Sequence, residues 1–340
     1  MLLSNFNYTL PPELIAQTPT TPRDHSRLLK FDINNWVIQE DKFYSIIDDL
    51  SENDVLVLNK TRVINARLNW KNDYWRNVEI FLHKQISEDT WECLVFPWKK
   101  LKPWRTVIFE YWLNAIIQKI TEAWRIIKFN KSWIDFLETI EKIWEIPMPP
   151  YIKEKLKNSE RYQTVWSEIE WSVAAPTASL HFTEELLQKI KDKWVKIEKV
   201  LLHVWLWTFM AVKTDNVLEH EMHSEYIELE EDVANRLNQH KKEWKRIIAV
   251  WTTAIRVLET MSDEKWIIHP WKKDTDIFIY PWYKWKFVDA MITNFHLPKS
   301  TLLMLVSSFA WTNNIKKIYK YAVKNKFRFF SFWDCMFLKK

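Results

Sequence analysis

A chain of 340 residues with no glycine and 23 tryptophans lacks the residue on which tight turns ordinarily depend. Left-handed backbone, with φ above zero, is routine only for glycine, because a Cβ atom crowds the following carbonyl. Glycine ordinarily makes up about 7% of a protein. The tryptophan share here is close to that, and the tryptophans stand where backbone freedom is wanted. Trp194 and Trp244 each follow a helix-like, lysine-ended segment and precede a strand, the place where a left-handed residue closes a helix. Pro97-Trp98, Pro103-Trp104 and Pro281-Trp282 have the order of type II turns. Val204-Trp205-Leu206-Trp207-Thr208 would crowd two indoles into one polar loop. We read most of these tryptophans as standing for glycine: a codon such as UGA, read as glycine by the source organism but translated as tryptophan, would produce this pattern. The reading requires positive φ at Trp194, Trp207, Trp244 and Trp282.

The length allows two domains, or one domain carrying a large insertion. No signal peptide is evident and no apolar run approaches the 18 residues of a membrane span. Cys93 and Cys335 suit a reducing compartment and supply no disulfide framework, so a cytoplasmic protein is expected. The net charge of +5 permits an anionic partner such as RNA without requiring one.

Residues 1–30 read as an irregular arm around a short helix at Pro12 to Gln17, with a polar knot from Arg23 to Arg27. A hairpin follows at Leu28 to Phe31 and Trp36 to Ile38, then a helix from Tyr44 to Leu50. Asp54 to Leu58 is a continuous apolar strand running into Asn59-Lys60-Thr61-Arg62, and polar loops beyond the carboxyl ends of buried strands are where open α/β sheets hold ligands. From Ala66 to Met148 short alternating strands recur between turn signals, the pattern of a small barrel or sandwich. This insert either contacts substrate or RNA or serves as scaffolding. Pro147 to Tyr151 reads as a linker. The expected fold is therefore an α/β main domain with a mixed sheet, residues 1–65 and 150–340, plus an inserted small all-β, barrel-like domain, residues 66–149.

In the second part, His181 precedes Thr183, a good N-cap for the helix starting at Glu184. Val195 to His203 reads as a strand. His220, Glu221 and His223 invite a zinc reading, but H-E-x-H is not the spacing that puts two histidines on one helical face, so an acid/base or substrate-holding cluster is expected and no metal. A helix from Glu230 to Glu243 leads to strand Arg246 to Val250. Trp251-Thr252-Thr253 then opens a helix, a strand–turn–helix corner suited to an anionic group. No P-loop or dinucleotide fingerprint is present. The polar residues are densest from Thr275 to Trp311, where Asp276, Tyr280, Asp289, Thr293, Asn294, His296 and Lys299 lie among apolar runs. Ile277 to Ile279 and Phe287 to Ile292 read as strands and Leu302 to Phe309 as a helix. Such a cluster must be paired or used, and pattern alone leaves both open.

These segments together resemble one family, the S-adenosylmethionine:tRNA ribosyltransferase-isomerases of queuosine biosynthesis. The similar stretches are PRDHSRLL (22–29), TRVINARL (61–68), YQTV (162–165), AAPTASLHFTEELL (174–187), LHVWLWTF (202–209), HEMHSEY (220–226), WTTAIRVLET (251–260), TNFHLPKSTLLMLVS (293–307) and RFFSFWDCM (328–336). They lie in family order over nearly the whole chain. The family has glycine at positions 205, 207, 251, 282, 311 and 333, whereas Trp91 fits a true tryptophan and Trp285 an aromatic position. Ser179 replaces a usual glycine, and Cys335 and Lys60 also depart from the pattern.

The resemblance implies that the ribosyl part of S-adenosylmethionine is moved to a 7-aminomethyl-7-deazaguanine at the tRNA wobble position and isomerised to epoxyqueuosine, with adenine and methionine leaving. S-adenosylmethionine is then a ribosyl-donor cosubstrate, no metal is needed, and a monomer is favoured. Under it His181 and His296 are the candidate base and acid, with Asp289, Tyr280 and Asn294 to orient them or hold ribose hydroxyls. Trp251, Thr252, Thr253 and Arg256 are candidates for the methionine carboxylate. Thr61, Arg62, Thr177, Trp205, Trp207, His220, Glu221 and His223 are expected around the substrate, and Arg23, Arg62 and Lys299 on RNA phosphates. A non-catalytic tRNA-binding protein with the same fold is the alternative.

Overall fold

The structure, a computed structural model, describes residues 1–63, 67–72, 77–121, 124–143, 159–172, 177–204, 212, 214–329 and 334–340. The expected linker at Pro147 to Tyr151, and Trp205, Trp207 and Trp333, lie outside them. The chain divides into two compact units, Met1–Arg62 with Pro149–Lys340, and Val63–Met148.

Strands and helices are numbered in chain order. The first are β1 (Arg27–Asp32), β2 (Val37–Lys42), β3 (Asp54–Asn59) and β4 (Thr61–Val63). The smaller unit holds β5 (Arg67–Asn72), β6 (Asn77–Ser87), β7 (Thr90–Phe96), β8 (Thr106–Ile108), β9 (Asn114–Ile120), β10 (Arg125–Phe129) and α1 (Trp133–Ile143). Then come β11 (Ile169–Ser172), α2 (Glu184–Asp192), β12 (Lys196–Leu202), β13 (Glu225–Leu229), α3 (Glu231–Lys242), β14 (Arg246–Val250) and α4 (Trp251–Met261). The chain finishes with β15 (Trp271–Thr275), β16 (Ala290–Asn294), α5 (Thr301–Ala310), α6 (Thr312–Lys324) and β17 (Cys335–Lys339).

A nine-stranded mixed sheet forms the larger unit, in the order β15-β13-β12-β3-β14-β16-β17-β1-β2. Its middle, β12-β3-β14-β16, is parallel throughout. Alternation along these strands feeds two cores. Val55 and Val57 of β3, Ile247 and Ala249 of β14 and Met291 of β16 join one apolar cluster, with Ala254, Leu258, Met304 and Ile318 from the helices. Leu56, Leu58, Ile248, Val250 and Ile292 face the other way, with Phe43, Phe182, Leu186 and Ile190. A sheet covered on both faces explains why these strands read as unbroken apolar runs. Helix starts are set as the sequence suggests: Thr183 Oγ1 accepts from Leu186 N at 3.1 Å, and Ser300 Oγ from Leu303 N at 3.2 Å.

Six antiparallel strands of the smaller unit close into a barrel in the order β10-β7-β6-β5-β8-β9. The amphipathic α1 packs Phe136 and Ile140 into the barrel core. There Phe136 lies 4.6 Å from Phe129 and 5.9 Å from the buried Trp91, centroid to centroid. That placement suits a genuine indole at position 91. Helix α1 is not in the sequence reading, which follows only the two-residue period in this region.

Two expected strands change. Ile277 to Ile279 make no ladder: Ile279 is buried by side-chain packing alone, so an apolar run proves to be docked coil. The strand expected from Phe287 begins at Ala290, because the backbone N–H groups of Lys286, Phe287 and Val288 are already bonded to the buried carboxylate of Glu259. The helix expected at Tyr44 to Leu50 is a 3-10 helix, Phe43–Asp49, and the one at Pro12 shrinks to the single turn Pro12–Leu14.

Among the described residues twelve have positive φ, and nine of them are tryptophans: positions 36, 104, 112, 194, 244, 251, 266, 282 and 311. Three of the four required positions are among them, with φ of 65° at Trp194, 58° at Trp244 and 83° at Trp282. Trp244 is 94% exposed and Trp112 88%, so these two indoles bury almost nothing to offset a left-handed backbone. Restoring glycine at Trp194 or Trp244 is expected to stabilise the protein by about 1 kcal/mol at each site. Peptide mass spectrometry of the protein from its own organism is expected to find glycine there; indole at both would refute the reading.

Candidate active site

The parallel strands β12, β3, β14 and β16 all end on the same edge of the sheet, and their carboxyl ends carry the polar residues. Crevices outside such ends are the usual ligand sites of open α/β sheets. At the end of β3 the amide of Asn59 is fully buried and makes four hydrogen bonds. Its nitrogen donates to Leu202 O at 2.9 Å and Thr253 Oγ1 at 3.0 Å, and its oxygen accepts from Leu202 N and Thr61 N, both at 3.2 Å. One side chain thus ties β3 to the end of β12 and to the first turn of α4. Thr61 Oγ1 lies 3.0 Å from Nδ1 of His203, whose ring stacks on Tyr226 with centroids 5.8 Å apart. Burial pushes the His203 pKa down to about 4.

At the end of β16 stands a second network. Ser26 Oγ lies 2.8 Å from His181 Nδ1, and the Asn294 amide nitrogen 3.2 Å from His181 Nε2. Thr177 Oγ1 donates to Asn294 Oδ1 at 3.4 Å. With the amide donating, Nε2 accepts and Nδ1 carries the proton toward Ser26. His181 ends the 3-10 turn Thr177–His181, whose five residues are all buried, and its ring lies 5.1 Å from that of Phe43. Burial first, then the nearby guanidinium of Arg328, lowers its pKa to about 3. Nearby, Thr252 and Thr253 are buried in the first turn of α4, which has no side-chain cap and begins at Trp251 with φ of 73°. Uncapped N–H groups there suit a carboxylate or phosphate.

Thr61, Thr177, His181, Thr252, Thr253 and Asn294 therefore sit along this edge. Other expected residues are placed differently. His296 follows β16, but its Nε2 faces Thr293 Oγ1 at 3.1 Å, its N–H donates to Tyr319 OH at 2.7 Å and its carbonyl accepts from Tyr8 OH at 2.6 Å. Burial lowers its pKa to about 3. Asp289 does not orient either histidine. It lies at the start of β16, about 16 Å along the strand from Asn294, and binds Lys241 Nζ at 2.7 Å and Ile247 N at 2.9 Å. Arg256 is buried in an ion pair with Glu225 of β13, its pKa lowered by burial to about 10. A buried guanidinium without such a carboxylate would be strongly destabilising, so the pair gives Arg256 a structural duty.

Tyr280 is half-buried, 5.0 Å from Phe278, and His220 packs edge-on against the same Phe278 at 5.5 Å, with Glu221 and His223 exposed beside it. Arg23 donates to Gln163 O at 2.6 Å and Arg62 to Ser167 Oγ at 3.1 Å. Lys299 is exposed, with φ of 59°. Among the described residues no group of three His, Cys, Asp or Glu could hold a metal ion. The sequence reading missed Ser26, Asn59 and His203 as site residues. Ser26 and His203 lie inside its motifs and Asn59 in the polar loop it noted after Leu58, but only the fold shows which partner each side chain meets.

The histidines make stability depend on pH. His181 and His296 titrate near 3 and His203 near 4 in the fold, against about 6.5 when unfolded. Between those values the unfolded chain binds more protons, so their stabilising contribution is complete above pH 6.5 and is lost as pH falls. Unfolding free energy in urea is expected to fall from pH 6.5 to 5 by about 1 kcal/mol per pH unit for each histidine. A flat profile over that window would contradict the burial of neutral rings.

Comparison with known proteins bears on the whole chain. The family model described as a queuosine biosynthesis protein matches residues 3–338. An S-adenosylmethionine:tRNA ribosyltransferase-isomerase of Fusobacterium nucleatum is 50% identical over 339 residues, 99% of this chain and 96% of that protein. One of the same name from Carboxydothermus hydrogenoformans is 48% identical over 99% of this chain and 100% of its own. The crystal structure of an S-adenosylmethionine tRNA ribosyltransferase from Thermotoga maritima is similar, with a TM-score of 0.56 and 35% identity over 98% of this chain and 100% of that one. With a matching family model over nearly its full length and relatives near half identity, this chain belongs to the queuosine biosynthesis protein family.

Proposed function

We propose that this protein transfers the ribosyl moiety of S-adenosylmethionine to the 7-aminomethyl-7-deazaguanine of tRNA at the wobble position and isomerises it, giving epoxyqueuosine-tRNA, adenine and methionine. The observation that carries the proposal is 50% identity, end to end, with a protein named for that activity. In this reading residues 1–65 and 150–340 carry the chemistry, and the enzyme acts as a monomer in the cytoplasm.

The chemistry asks for few groups. The sulfonium acidifies the neighbouring C5′ hydrogens, so a neutral, positioned base can remove one. Adenine needs a proton or hydrogen bond to leave, and the methionine carboxylate needs a cationic or helix-terminal partner. His181, kept neutral by burial and held by Ser26 and Asn294, is the candidate base. His296, neutral just beyond the end of β16, can serve as acid only after receiving a proton. The first turn of α4, at Thr252 and Thr253, is the candidate carboxylate site. Asn294 and Tyr280 are candidates for ribose hydroxyls, and Arg23, Arg62 and Lys299 for RNA phosphates.

The test is a product assay. Adenine release from S-adenosylmethionine is expected only with tRNA bearing the aminomethyl precursor. S-adenosylhomocysteine in its place would mean methyl transfer, and tRNA binding without product would mean a binding protein. His181→Ala is expected to lower kcat by a factor of about 100 or more; full turnover in both His181→Ala and His296→Ala would remove the acid–base assignment. Arg62→Ala is expected to weaken tRNA binding and reduce its salt dependence.

A further inference from the structure

Between Asp289 and Asp334 the chain has no acidic residue, yet it has six lysines and one arginine, against +5 for the whole protein. Most of this charge is on α6. Lys316, Lys317, Lys320 and Lys324 fall within an arc of about 100° on the helix, and Lys316, Lys320 and Lys324 recur about every 6 Å along it. All four are exposed, while Ile315, Ile318, Tyr319 and Ala322 bury the opposite face. No hydrogen bond or ion pair joins the side chains of Lys316, Lys320 or Lys324 to another described residue. Lys317 Nζ lies 4.8 Å over the ring of Trp36, one of the left-handed positions read as glycine, where no ring would remain.

Helix stability does not explain the stripe. Like charges four residues apart repel. Lysine near a helix C-terminus is favourable, which accounts for Lys324, but Lys316 and Lys317 lie well before the last turn, where the helix dipole offers them nothing. The same chain builds α2 and α3 the usual way, with Glu184 and Glu185, and Glu231 and Asp232, in their first turns. Helix α6 has no acid in its first turn and no side-chain cap. Its buried face meets the carboxyl edge of the sheet, since Tyr319 OH accepts from His296 N and the Tyr319 ring packs on Phe295. The unpaired charge is therefore carried on a helix anchored beside the candidate site.

We propose that the lysine stripe of α6, Lys316, Lys317, Lys320 and Lys324, is a docking surface for the phosphate backbone of the tRNA substrate. The inference rests on the reading above that tRNA is the substrate. A point-charge ammonium on a flexible stem follows a phosphate chain without fixing its sequence, which suits an enzyme whose recognition of the reacting base is made elsewhere.

The four lysines are solvent-facing, so changing all four to Gln leaves the core intact, which circular dichroism checks. Binding of precursor-bearing tRNA to this variant is measured from low to high salt. The slope of log affinity against log salt is expected to shrink by about 2 to 4. KM for tRNA is expected to rise at least tenfold, with kcat and S-adenosylmethionine affinity unchanged. Lys189→Gln with Lys191→Gln, on α2, serves as the control and is expected to change neither. An unchanged slope and KM in the α6 variant would overturn the proposal. So would an equal loss in the α2 control, which would indicate diffuse charge, or binding to vesicles of anionic lipid as tight as binding to tRNA. Failure of the activity itself is distinguishable: wild-type protein would then bind tRNA with the full salt slope and release no adenine.

Discussion

The amide of Asn59 is the interaction on which the carboxyl edge of the sheet, and with it the candidate site, depends. A buried amide has two donors and a twice-accepting oxygen, and here Leu202, Thr253 and Thr61 use all of that capacity. Because the bonds run to two neighbouring elements, the carboxyl ends of β3 and β12 and the start of α4 are fixed as one body. Thr61, placed by the same oxygen, in turn meets His203. An apolar replacement at position 59 would leave buried N–H and C=O groups of β12 without partners, each a loss of roughly 1–3 kcal/mol.

Around that fixed edge the site is dry more than it is charged. Three histidines are held neutral mainly by desolvation, and each has a hydroxyl at one ring nitrogen: Ser26, Thr61 and Thr293. Two of the expected charged residues are committed elsewhere, Arg256 to Glu225 and Asp289 to Lys241, and the charge felt most at His181 is the guanidinium of Arg328. Electrostatic interactions with a substrate would be strong there because little water screens them.

Much of this was legible in the residues. The apolar runs at Asp54 to Leu58 and Arg246 to Val250 announced strands buried on both faces, and Thr183 and the alternation after Ala66 marked a helix start and an all-β insert. Pairings were not legible. The pattern around Asp289 resembles that around Asn294, and only strand direction puts them at opposite ends of β16. Ile277 to Ile279 looked like a strand because burial alone produces an apolar run, with or without a ladder. His181 and His296 looked equivalent, yet Tyr8 and Tyr319 clamp the backbone of the second. Helix α1 was missed because its amphipathic period follows a region of two-residue alternation.

The nine left-handed tryptophan positions reach beyond the fold of this one protein. Each non-glycine residue held there costs roughly 1–2 kcal/mol, so together they are as large as the roughly 5–15 kcal/mol by which a typical domain is stable. A cell that inserts indole at those codons would make a chain close to its unfolding limit. The gene is then readable in full only by translation machinery like that of its source.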